Sequence, residues 1–79
     1  MAHKWQPAIK FTEVQWQLFQ RLDASGILNL DFTLTGLNKN TTIPFQQRTF
    51  DALVRKGALD CRNGSYWVTD AGRAVYEKG

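Results

Sequence analysis

A single cysteine, Cys61, leaves this chain unable to close an intramolecular disulfide or to build a cysteine-based zinc site. The one histidine, His3, sits near the N-terminus, where no Ser–His–Asp or Cys–His constellation can be assembled without straining a small fold. The sequence has no phosphate-cradling glycine loop, no metal-ligand cluster and no carboxylate pair placed for acid–base work. These gaps point away from an enzyme and away from a cofactor or metal. Apolar runs fall well short of a bilayer span. The opening Met1-Ala-His-Lys-Trp-Gln-Pro lacks the apolar centre of a signal peptide, so a reducing cytoplasm without a membrane partner is the expected setting.

What remains is short and rich in rings. Seventy-nine residues make one domain near the lower limit for a single apolar core, and three Trp, five Phe and two Tyr supply the large side chains that such a core needs. The net charge is +3, and its placement is uneven. Lys4, Lys10 and Arg21 balance Glu13, Asp23 and Asp31 in residues 1–38, and Arg73 and Lys78 balance Asp70 and Glu77 in 63–79. The surplus lies in 39–62, where Lys39, Arg48, Arg55, Lys56 and Arg62 meet only Asp51 and Asp60. A localised cationic segment is the footprint of a phosphate-binding face, although many such segments are merely solvated.

Residues 1–11 show no clear period and contain Pro7, which reads as an N-terminal arm anchored by Trp5 or Ile9, with the domain itself covering 12–79. Thr12 and Gln15 form a capping-box pattern ahead of Val14, Leu18 and Leu22, which recur at helical spacing with Phe19 beside them; Ala24-Ser25-Gly26 ends that helix. Residues 27–40 fit two periods. Leu28, Leu30, Phe32 and Leu34 alternate as in a strand, while Ile27, Leu30, Leu34 and Leu37 share a helical face that Asn29 can cap. A turn at 38–42 precedes Pro44, a good first helical residue, and a helix from Pro44 to Lys56 is expected to bury Ile43, Phe50, Leu53 and Val54 before Gly57 stops it. Residues 58–62, the Asn63-Gly64 dipeptide of a type I′ turn, and 65–68 read as a β-hairpin, with Tyr66 and Trp67 on alternate faces. Thr69 or Asp70 caps a final helix over 71–76.

The stretches Leu53-Val54-Arg55-Lys56-Gly57-Ala58-Leu59 and Val68-Thr69-Asp70-Ala71-Gly72 resemble the end of the recognition helix and the wing-to-helix phrase "Leu-Thr-x-x-Gly" of winged-helix transcription regulators similar to the MarR and PadR groups. The likeness covers roughly residues 12–77 and is strong over 50–77. It implies an α+β fold, a small winged helix-turn-helix: a three-helix core plus a two-stranded β-hairpin wing and a short C-terminal helix. It also places a short second helix near 30–37. The function it implies is that of a sequence-specific double-stranded DNA-binding protein, a small repressor or other transcription regulator, or a phage or mobile-element accessory factor. Helix 44–56 would enter the major groove and the 59–68 hairpin would act as the wing.

On that surface Arg48 can grip guanine O6 and N7, or stand as an ordinary solvated arginine. Thr41, Thr42 and Thr49 can bond phosphates or bases, while Thr42 serves equally as a helix cap. Gln46 and Gln47 can read adenine, although their angle leans toward the core. Phe45 either touches a thymine methyl or packs against the second helix. Lys39, Arg55 and Lys56 are candidates for phosphate neutralisation. Arg62, Asn63 and Ser65 crown the hairpin, with Asn63 already explained by the turn. Trp16, opposite the apolar face of the first helix, offers a protein or homodimer contact, or lies under Trp5 or Tyr76. A winged-helix module that docks a protein instead of DNA is the other reading.

Overall fold

The computed structural model describes residues 9–78, so the proposed arm is represented only by Ile9, Lys10 and Phe11; His3, Trp5 and Pro7 lie outside the described residues. Among those residues the chain forms α1 (Glu13–Ala24), α2 (Leu34–Asn38), α3 (Gln47–Lys56), β1 (Leu59–Arg62), β2 (Ser65–Val68) and α4 (Asp70–Lys78). This is a small α+β fold of four helices and one antiparallel hairpin, in register Leu59↔Val68 to Arg62↔Ser65.

Helix α1 begins with a complete capping box. The Gln15 amide donates to Thr12 Oγ1 at 3.2 Å, and the Thr12 amide donates back to Gln15 Oε1 at 2.9 Å. Leu18, Phe19 and Leu22 are fully buried. Val14, expected among them, is 47% exposed, and the adjacent Gln15 is buried instead. The reason lies in a long-range bond: the Lys56 ammonium donates to Gln15 Oε1 at 2.7 Å and to the Lys10 carbonyl at 2.6 Å. A charged donor from α3 draws the amide inward and turns Val14 toward solvent.

Both periods read in 27–40 are realised in succession. Phe32 pairs with Tyr66 as an isolated antiparallel bridge, exchanging backbone bonds of 2.9 and 2.7 Å, and so adds a single-residue pairing on the edge of β2 away from β1. The helix starts only at Leu34, later than the expected 30–37, and Thr33 caps it through the Gly36 amide, the role assigned to Asn29. Leu37 alone of α2 is fully in the core, while Leu30 is 57% exposed.

The second shift of boundary carries more weight. Helix α3 starts at Gln47 rather than at Pro44, and its N-cap is Gln46, which makes no side-chain cap bond. Thr42 therefore caps nothing. Asn38 sets this geometry: its side-chain amide donates to the Phe45 carbonyl and its Oδ1 accepts from the Phe45 amide, both at 2.8 Å. The pair brackets the backbone of Phe45 and holds the residue in place, half-buried against the core. Ile43, expected on the buried face, is left 82% exposed because it precedes the helix and does not share its face.

The centre is aromatic. Phe32, Phe50 and Tyr66 meet pairwise, with centroids from 4.8 to 6.2 Å apart, and Leu53, Ala58, Leu59 and Val68 close around them. A second ring cluster joins Phe11, Trp16, Phe19 and Tyr76 at the α1–α4 contact. Tyr76 also donates its hydroxyl to Asp23 at 2.9 Å; this bond to the carboxylate, with burial and the Asp23 charge, raises the phenol above its ordinary 10.0. The neutral phenol is therefore the form that ties α4 to α1, and the tie is lost only as alkaline pH ionises it. Among the described residues no helix is long and apolar enough to cross a membrane.

Candidate nucleic-acid interface

Helix α3 has two chemically distinct sides. Phe50 and Leu53 are fully buried, which leaves Arg48, Ala52 and Arg55, at spacings of four and three residues, on the opposite side. Arg48 and Arg55 are exposed, and among the described residues no side-chain hydrogen bond or ion pair engages either guanidinium. Ala52, half-buried between them, keeps the middle of the face low. Arg55 also lies in the last turn, where a cation complements the carbonyl end of the helix.

The neighbouring candidates divide into those with free polar groups and those already engaged. Gln46 is exposed and Thr49 half-buried, and both line the groove beside Arg48. Gln47 is held: its amide nitrogen donates to Tyr66 Oη at 2.7 Å and to Asp51 Oδ1 at 2.9 Å, which ties the start of α3 to the hairpin. Thr41 donates its hydroxyl to the Asn38 carbonyl at 2.9 Å, whereas Thr42 is exposed. Lys39 is exposed, and its carbonyl accepts from Arg21 at 3.3 Å, so that α1 braces the loop.

Lys56, read as a phosphate contact, is instead committed to Gln15 and to the Lys10 carbonyl. These two bonds tie α3 to the start of α1, so Lys56 acts as a strut between them. Trp16 is half-buried, edge-on to Phe11 at 5.2 Å and tilted against Tyr76 at 5.6 Å, while Trp5 lies outside the described residues.

The hairpin turn is as expected, with Asn63 at φ 52° and Gly64 at φ 85°, both in the left-handed region that a type I′ turn requires. Arg62 is exposed and Ser65 half-buried, paired across the base of this turn. Arg62 does not join Arg48 in one recess. It lines a separate one with Asp31, Trp67 and Arg73. Tyr66 takes the inward position of the returning strand and Trp67 the outer one.

Two features escaped the sequence. Asn38 was visible only as a turn residue, and nothing local signals that its side chain would clamp a backbone seven positions on. The groove beside Arg48, about 520 Å³, is walled by Val14 and Gln17 of α1, by Ile43 and Pro44, and by Ala52 of α3. Among the described residues no group of three His, Cys, Asp or Glu side chains converges as a metal site, and Cys61 is a free, exposed thiol on β1. No protein-family model matches the chain, and neither a curated protein nor a solved structure matches it.

Proposed function

We propose that this chain is a winged-helix protein that binds double-stranded DNA in a sequence-specific way, with α3 in the major groove and the β1–β2 hairpin as its wing. The observation that carries the reading is the pair of exposed, unengaged arginines, Arg48 and Arg55, on either side of the half-buried Ala52, on a helix whose other side is pinned by Phe50 and Leu53. The fixed inner side holds the outer side in one orientation, which groove recognition needs. Arg48, near the start of α3, is the base-reading residue, since a guanidinium pairs bidentately with guanine. Lys39, Arg55 and Arg62 are phosphate contacts that position the domain. This activity requires no cofactor. A role as repressor or as another regulator, acting in the cytoplasm and as a dimer on a palindromic site, follows from the same reading.

A salt titration of duplex binding tests it. If Lys39, Arg55 and Arg62 each neutralise one phosphate, log K should fall with log salt at a slope of about −3. Binding that is absent at low ionic strength would remove the DNA reading. On a duplex selected from a random library, Arg48→Ala should lose about 1–3 kcal/mol, and much less on unrelated DNA. Equal losses on both would reduce Arg48 to a phosphate contact.

One observation favours the other reading, a protein-docking module: Ile43 and Val14 are exposed aliphatic residues on a single groove. In that case no duplex would bind even at low ionic strength.

A further inference from the structure

Among the described residues Ile43 is the most exposed large apolar side chain, at 82%. It stands just ahead of α3, in a loop that the Asn38–Phe45 bonds hold in place, so its position is set by the backbone. It shares its groove with Arg48, Thr49, Gln46 and Gln17, and no carboxylate lines that groove. We infer that Ile43 packs on the 5-methyl group of a thymine beside the base gripped by Arg48, so that the recognised site contains a thymine next to a guanine. The inference rests on the DNA reading above and goes one step beyond it.

The chemistry of the surroundings selects this occupant. A major groove presents one kind of apolar group, the thymine methyl, among acceptors and donors that match guanidinium, amide and hydroxyl side chains. The groove offers those groups: one guanidinium, three amides and two hydroxyls, of which Gln15 and Thr12 are engaged in the cap of α1, around the exposed aliphatic side chains of Ile43 and Val14. A protein interface centres instead on a contiguous apolar core with buried aromatic anchors. Here the one aromatic on the groove, Phe45, is turned into the fold and packs on the core. The absence of a lining carboxylate removes the repulsion that a phosphate backbone would otherwise meet.

The test uses the full chain and a duplex selected from a random library, with each thymine replaced in turn by uracil, which removes the methyl alone. One replacement should weaken binding by about three- to fivefold, the effect of returning a single buried methyl to water. In Ile43→Ala, which removes an exposed side chain and should retain the circular dichroism of the parent, the same replacement should have no effect. If every uracil duplex binds as well as its parent, or if Ile43→Ala still prefers thymine over uracil at that position, the methyl contact is wrong while the DNA reading stands. If no duplex binds at low ionic strength, both fall together, and the groove passes to a protein partner.

Discussion

Gly72→Ala should destabilise the fold by about 3 kcal/mol, against the usual sign of such a change. Within a helix, alanine is normally favoured over glycine by about 1 kcal/mol, and Gly72 lies inside α4. A Cβ at this position, however, would overlap the Ala58 carbonyl oxygen and stand 2.9 Å from both the carbonyl carbon and the Cα of Ala58. All three are backbone atoms of a fully buried residue at the base of the hairpin, so no side chain can rotate away to make room. Helix α4 would have to lift off. That movement would strain the Thr69 amide bond to the Ala58 carbonyl at 3.1 Å and the Thr69 hydroxyl bonds to the Gly57 carbonyl and the Gly72 amide. Urea denaturation measures the outcome. An unchanged or raised midpoint would mean that α4 does not rest on the Ala58 backbone. Because the proposed recognition face is on α3, any DNA affinity of the fraction still folded should be close to that of the parent.

The same site shows why one sequence phrase was so legible. Val68-Thr69-Asp70-Ala71-Gly72 has a physical reason for nearly each position: Val68 is buried, Thr69 caps α4 and bonds to Gly57, and Gly72 lets the helix backbone touch Ala58. Asn63-Gly64 is comparable, since a tight turn with two positive φ angles leaves few alternatives. The boundaries of α1 and the hairpin and the start of α4 follow from such local rules, whereas α4 runs to Lys78, two residues beyond the expected 71–76. Residues governed by distant partners were not legible. Gln15 and Val14 exchange environments because Lys56, 41 residues away from Gln15, supplies a charged donor. Ile43 is displaced outward because Asn38 fixes Phe45. In both cases helical periodicity assigned the apolar residue inward, and a polar bond across the fold decided otherwise. The candidate site was affected accordingly. Arg48 and Arg55 stand where the period of α3 puts them, Lys56 has an internal task, and Gln47 is held by Tyr66.

Phe50→Ala should cost about 3–5 kcal/mol, close to the entire stability of a marginal small domain. The ring is fully buried, edge-on to Tyr66 at 4.8 Å and to Phe32 at 5.9 Å, and is thereby shared by α3, the hairpin and the strand-like bridge ahead of α2. Truncation would leave a cavity at the junction of these three segments, and a core this small has few neighbours able to move into it. Phe50→Leu, which refills most of the volume, should recover the greater part of the loss. The comparison also separates stability from recognition. Phe50→Leu should fold and bind the selected duplex nearly as well as the parent, whereas Arg48→Ala should melt like the parent and bind poorly. Were Phe50→Leu instead to abolish binding while remaining folded, the orientation of α3 would depend on ring geometry at its inner side, and the outer arginines could not be treated as an independent reading surface. Equilibrium denaturation and duplex titration of the same three variants measure both quantities on one set of samples.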